Sequence, residues 1–335
     1  MRSSLSAIAL LAFLSACGGG GDGNPVTGGP NPGQETGTDS GSTDDSAVTT
    51  GTTTRRTSGD LTGITLHAGD LANPDGYLTV DNLPFDGPEG TNAERYSYMG
   101  LAAVEATGNP FQQYESGDAT AETNQRKYFA VYGAGAYTTA SAVGTGDYNR
   151  FGWGGAQYTR DGVSAPDIAR EGEAVYEGNY AGVRVSTFGT GASDVTFTTA
   201  TATIEVDFLD FATTGAIEGS IGVRTVYDTN GNALGTLPAI ALATASADDQ
   251  GFIFDGSATS YDRTGDNAGD PFETGSWEGA FAGPNSEEIV GLIVLTGPAR
   301  EGQSDAGGFT ETGLDDDAVD GFDAQETGVF IATDP

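Results

Sequence analysis

One histidine and one cysteine hold most of the nucleophilic and soft-ligand chemistry available to this 335-residue chain. His67, in the stretch ITLHAGD, is the only imidazole. Neutral imidazole is a common metal donor, but here it would stand without a second one. No G-x-S-x-G elbow is present to pair it with a serine nucleophile. His67 therefore reads as a packing or surface residue. Asp315, Asp316, Asp317, Asp320 and Asp323 gather around Gly321. Clustered carboxylates suit Ca²⁺, which makes Asp315, Asp317, Asp320 and Asp323 the metal candidates. Their order is not that of an EF-hand, and a solvated loop accounts for them. Asp228-Thr229-Asn230-Gly231-Asn232 reads as an Asn-Gly hairpin turn, and Asp262, Asp266 and Asp270 as another polar loop. No cofactor is expected. With 13 Lys+Arg against 48 Asp+Glu and a formal charge of −35, nucleic acid is excluded as a partner, because phosphate binding needs cationic side chains to replace counterions.

Cys17 has a different context. It ends MRSSLSAIALLAFLSAC, in which Arg2 precedes an apolar run from Leu5 to Leu14. That run is too short for a membrane span, which needs about 20 residues, and it reads as a secretory signal. Leu14-Ser15-Ala16-Cys17 resembles the bacterial lipobox, which implies cleavage before Cys17 and acylation of its thiol. More than one acyl chain gives stable anchoring. Gly18 in the second mature position permits outer-membrane sorting. Residues 1–16 are thus expected to be a lipoprotein signal, and 17–58 a lipidated Cys followed by a disordered Gly/Ser/Thr/Pro tether with too few apolar residues to form a core.

From residue 59 onward, short alternating runs broken by Gly, Asn, Asp and Pro predict an all-β protein. Ala200, Ala202, Ile204, Val206 and Phe208 share one face of a strand, with Thr201, Thr203, Glu205 and Asp207 on the other. Ile217, Gly219, Ile221 and Val223 repeat the pattern as its hairpin partner. Residues 240–244 and 252–258 form a second predicted hairpin, with Phe252, Phe254, Gly256 and Ala258 on one face. Further runs at 174–185, 276–281, 289–295 and 328–332 bring the count to about eight, the pattern of a closed barrel or a sandwich. Glu205 and Asp207 would be costly in lipid, so a water-soluble barrel with a filled interior is expected. Residues 59–171 are richer in Tyr, Phe and Trp, with strand-like runs at 127–132 and 148–158. They are read as a smaller β-rich domain beside the barrel at 172–335. Its aromatics are expected mostly in a core, and Trp277 and Phe281 inside the barrel.

Four stretches carry a resemblance: EAVYEG at 173–178, IEVDF at 204–208, GSWEGAF at 275–281 and GPNSEEIVG at 283–291. Together they resemble the transferrin-binding protein B-like surface lipoproteins. The matching positions are Tyr176, Gly178, Asp207, Phe208, Gly279, Phe281, Gly283, Pro284, Asn285, Glu287, Glu288 and Gly291. Ser286 and Val290 depart from the family pattern, which has Ala and Gly there. The resemblance implies an eight-stranded barrel preceded by a handle domain, displayed on the outer membrane after passage through a dedicated translocon. It implies that the motif residues are structural, with the Gly-Pro-Asn turn and Glu288 shaping a barrel corner, and carries over no catalytic residue. The function expected is non-enzymatic capture of a host protein or a solute by a lipid-anchored, surface-exposed protein. The partners are the bilayer through Cys17, an unidentified protein or small molecule, and an outer-membrane translocon and receptor. The alternatives are a carrier barrel for haem or another nutrient, and a passive acidic or adhesive surface protein.

Overall fold

A computed structural model describes residues 48–50, 53–67, 76–84, 86, 95–117, 126–148, 151–161, 172–187, 193–208, 217–261, 269–298 and 323–334. Cys17, Asp315, Asp317 and Asp320 lie outside the described residues. The fold is almost entirely antiparallel β.

The N-terminal sheet contains β1 (Val48–Thr50), β2 (Thr53–Gly59), β3 (Gly63–His67), β4 (Tyr77–Asp81), β5 (Tyr96–Tyr98), β6 (Gln112–Ser116), β7 (Phe129–Ala134), β8 (Thr138–Gly144) and β9 (Gly154–Arg160). Their spatial order is β1-β2-β9-β8-β7-β6-β5-β4-β3. A single turn of helix, α1 (Ala102–Glu105), precedes β6. The aromatic excess of this region is largely core: Tyr96, Tyr114, Tyr128, Tyr148 and Trp153 are buried together with Ile64, Leu78 and Val80. Burial leaves their hydroxyls needing partners, and Tyr128 and Tyr148 both donate to the Pro84 carbonyl at 2.9 and 3.2 Å.

Two expectations change here. The expected tether runs to residue 58, yet β1 and all of β2 except Gly59 fall inside it, and β2 pairs with β9 from Thr54↔Arg160 to Gly59↔Gly155. A strand paired on both sides, as β2 is by β1 and β9, can be held by its backbone ladder with few apolar side chains of its own. The second change is in the run 148–158. Tyr148 and residues 151–153 are not strand, and the strand is Gly154–Arg160.

The C-terminal sheet closes on itself. β10 (Glu173–Thr187) pairs with β11 (Ser193–Asp207) along its whole length and with β19 (Asp323–Thr333) on its other edge. The circle is completed through β18 (Glu288–Pro298), β17 (Pro271–Ala282), β16 (Phe252–Tyr261), β15 (Ile240–Ala247) and β12 (Ile217–Ile221). This is the expected eight-stranded antiparallel barrel, and closure leaves its strands no free edge. A hairpin of β13 (Arg224–Tyr227) and β14 (Ala233–Leu237) extends it, paired to the early part of β11.

Large side chains fill the lumen: Tyr176, Ile204, Ile217, Leu242, Ile253, Trp277, Phe281, Ile289, Ile293 and Phe330 are buried in one cluster. Glycines make room for the rings. Trp277 lies over its cross-strand partner Gly256 and Phe330 over its partner Gly291, while Tyr180 reaches diagonally over Gly328; at each, any Cβ would collide with the ring. Outside, Glu177, Thr201, Glu205 and Glu218 are exposed.

Two face assignments differ from the sequence pattern. Register shifts between Ile253 and Gly256 carry Ile253 into the lumen beside Ala258, while Phe252 points outward. A bulge of this kind breaks strict alternation. Val223 is 45% exposed because the strand ends at Ile221 and restarts at Arg224.

The two sheets share a buried interface. Val131, Ala140, Ala142, Ala156 and Tyr158 of the first pack against Ala181, Val183, Val290, Leu292, Val294 and Val329 on the outside of the barrel. This explains the unbroken apolar run of β18: Ile289 and Ile293 face the lumen, while Val290, Leu292 and Val294 face the neighbouring sheet. Strands buried on both faces read as continuous hydrophobic segments.

Candidate functional site

The motif residues meet at one end of the barrel, around the turn between β17 and β18. Gly283 adopts φ +84° and Ser286 φ +59°, both in the left-handed region where glycine is favoured. The Glu287 carboxylate accepts from the Asn285 backbone and side-chain amides at 2.9 and 2.7 Å. Pro284 and Asn285 form the exposed tip. The Tyr176 hydroxyl donates to the Ser286 carbonyl at 2.7 Å, and its ring packs edge-on to Phe281, itself 5.9 Å from Phe208. Asp207 pairs with Glu173 where β10 opens. Gly178, Gly279 and Gly291 each lie against a neighbouring strand where a Cβ would strike a carbonyl, of Ile331, Val290 and Glu278.

Glu288 turns the other way. Its carboxylate accepts from the Ala136 and Tyr137 amides at 2.5 and 3.1 Å and from the Thr138 hydroxyl at 2.8 Å. It thus holds the β7–β8 turn of the first sheet, in addition to its place at the barrel corner. Nearby, Arg56 and Arg160 lie 4.1 and 4.2 Å from the centre of the Phe252 ring. Arg160 also donates to the carbonyls of Gln250 and Phe281 at 2.6 and 3.1 Å. Burial lowers the Arg160 pKa from its ordinary value.

The opposite end of the lumen contains a group that sequence reasoning missed: Arg184, Arg224, Glu273 and Glu326, all buried. Glu326 accepts from the hydroxyls of Tyr180 and Thr198, both at 2.7 Å, from Arg224 at 2.6 Å and from Arg184 at 3.3 Å. Glu273 accepts from both arginines and from the Ser260 hydroxyl at 2.7 Å. Two cations and two anions compensate each other in a dry site. Burial alone would raise the Glu273 carboxyl, but the Arg224 and Arg184 guanidinia, with bonds from Arg224 and Ser260, outweigh it and bring it to about 2. Burial, reinforced by Glu326, pushes Tyr180 well above its ordinary value. The signal was present in strand parity, since Arg184 follows Tyr176 and Tyr180 on one face and Glu326 precedes Gly328 and Phe330.

A depressed folded pKa contributes stability above the unfolded value that is lost as pH falls through the folded one. Thermal unfolding of the chain is therefore expected to hold steady from neutral pH down to Glu273's reference value of 4.5, then fall toward about 2. Glu273→Gln should flatten that part of the profile. An unchanged acid slope in the variant would count against the pairing.

His67, on β3, stacks on Tyr77 at 4.6 Å and 9°, with its Nε2 2.9 Å from the Thr79 hydroxyl. Arg95 lies 4.3 Å from the same Tyr77 ring. Of the acidic candidates, Asp323 begins β19 opposite Pro298. Among the described residues, no three His, Cys, Asp or Glu side chains are grouped to hold a metal. An open cleft of 320 Å³ lies where the two sheets meet, with Lys127, Phe129, Asp147, Asp194, Asp228 and Leu234 on its walls. The Asp228 carboxylate caps its own turn through the amides of Asn230 and Asn232 at 2.9 and 2.7 Å. Those bonds hold its pKa down against the opposing effect of burial.

No family model matches the sequence, and no curated protein matches it. Solved structures do. The chain is similar to transferrin-binding protein B. A variant of that protein from Haemophilus parasuis matches at 16% identity and a TM-score of 0.34, over 79% of this chain and 43% of the other. The isotype 1 protein of Neisseria meningitidis matches at 16% and 0.32, over 78% and 38%. A structure described as a surface lipoprotein matches at 13% and 0.31, over 81% and 97%. The chain thus spans less than half the length of the two transferrin-binding proteins.

Proposed function

We propose that this chain is a non-enzymatic binding protein, anchored to the outer membrane through acylated Cys17 and displayed at the cell surface, where it captures a host protein or a solute. The observation that carries this reading is the filled barrel. Aromatic side chains and a self-neutralised ionic group occupy the lumen, so recognition falls to the outside of the molecule, its turns and the cleft between the sheets. The same packing argues against haem carriage within the barrel, and the sole imidazole lies on the other sheet. The sequence around Cys17 supports the anchor, and the residue pattern supports no catalytic constellation.

The anchor is tested by Cys17→Ser: wild-type protein is expected in the membrane fraction and the variant in the soluble fraction. Equal membrane association would refute lipidation. External protease on intact cells should degrade the displayed protein; full protection would place it inside. For the ligand, purified protein is probed with host serum proteins, transferrin among them, and with haem. Saturable binding of a serum protein, or of a solute at the outer surface, supports the reading, and haem held inside the barrel overturns it in favour of the carrier.

A further inference from the structure

The β13–β14 hairpin continues along β11 past the end of β12, and its contacts run across the barrel. β13 is joined to β11, yet Val226 and Leu237 pack on Phe272 of β17, which lies halfway round the ring. Arg224 makes the same crossing. Its Nη2 bonds Glu273 of β17, its Nη1 donates to Glu326 of β19 at 2.6 Å, and its Nε donates to the Pro238 carbonyl at 3.1 Å. All three guanidinium nitrogens are thus engaged, each by a different acceptor, and the side chain is fully buried. Arg184 and Ser260 face Glu273 from β10 and β16, while Tyr180, Thr198 and Arg184 face Glu326 from β10 and β11. Strands β10, β11 and β16 thus supply polar partners to the two carboxylates, and the hairpin adds Arg224.

We propose that the β13–β14 hairpin is a lid folded across this end of the barrel, latched by Arg224 in a carboxylate seat that selects a guanidinium. The seat has the directional acceptors a planar fork requires, and a lysine ammonium, as a point charge, would not satisfy all of them. The strands on either side of the latch are independently held. β12 and β15 pair below the hairpin, and β18 and β19 pair along eleven residues each. Opening the lid therefore need not open the barrel, and the hairpin forms its own cooperative unit.

The test uses the full chain with Arg224→Ala, which removes an ethylguanidinium fragment from the side chain. Amide exchange in β13 and β14 is expected to accelerate about 100-fold or more, given the usual cost of breaking a buried pair. Amides of β18 and β19 should change by no more than about tenfold. Millimolar ethylguanidinium should restore hairpin protection, and ethylammonium at the same concentration should not. Hairpin amides that stay protected, or that accelerate equally with β18, would overturn the lid. Rescue by both cations, or by neither, would overturn the guanidinium seat. If Arg224→Ala does not fold, Arg224→Lys provides the same comparison, with faster exchange expected in the hairpin and little change in β18.

Discussion

Glu326→Ala is expected to cost about 3–5 kcal/mol of unfolding free energy, the range for removing one partner from a buried ionic group. The side chain is fully buried and accepts from two guanidinia and two hydroxyls. Its loss leaves Arg184 and Arg224 facing Glu273 alone, two positive charges against one in a site closed to water. Tyr180 and Thr198 lose their acceptor as well. For a protein of ordinary stability, about 5–15 kcal/mol, that is a large fraction of the whole. Urea unfolding followed by fluorescence of Trp277, the tryptophan inside the barrel, measures it in a Trp153→Phe background. Glu326→Gln should lose less, because an amide oxygen still accepts. Joint replacement of Arg184, Arg224, Glu273 and Glu326 by Met and Leu should recover most of the loss, since apolar packing often equals a buried ion pair. A loss below about 1 kcal/mol for Glu326→Ala would mean that water reaches the group and that it behaves as a surface pair.

Glu288→Ala is expected to loosen the attachment of the two sheets. One carboxylate satisfies two backbone amides and a hydroxyl on the β7–β8 turn. Hydrogen bonds to a charged acceptor contribute about 1.5–3 kcal/mol each and do not add fully, so a total loss of about 3 kcal/mol is expected. Trp153 reports the first sheet and Trp277 the barrel. In the wild type both should unfold in one transition, because the apolar interface joins the sheets. In Glu288→Ala the Trp153 transition should move to lower urea than the Trp277 transition. Coincident transitions at the wild-type midpoint would show that the apolar contacts alone hold the turn.

The two predictions concern residues of unequal visibility in the sequence. Glu288 lies in a recognisable motif, and its neighbourhood reads correctly as a tight turn because Gly-Pro-Asn favours one. Its partners do not appear, since the amides of Ala136 and Tyr137 are about 150 residues away and a backbone amide leaves no mark in a side-chain pattern. Arg184 and Glu326 were visible only as charged residues on the apolar side of their strands. Parity shows that such a residue points inward, but which oppositely charged residue it meets depends on ring closure. Phe252 and Ile253 show the opposite failure: period-2 alternation assigns faces correctly until a bulge inserts an extra residue. β2 was missed because it contributes backbone pairing and an arginine against Phe252, whereas periodicity detects apolar side chains.

The sequence by itself determined the local and one-dimensional features. These are strand alternation, turn positions, a strongly acidic composition and a lone Cys in a lipobox-like context. Alternation, turns and the context of Cys17 each depend on residues within a few positions of one another, and the acidity on composition alone. The tertiary structure decided what is non-local. It closed eight strands into a ring, laid β18 between two cores, and brought Arg184, Arg224, Glu273 and Glu326 from four separate strands into one dry site. The physical reason is that a buried charge is tolerated only where its counter-charge also arrives, and that meeting is a property of the closed barrel.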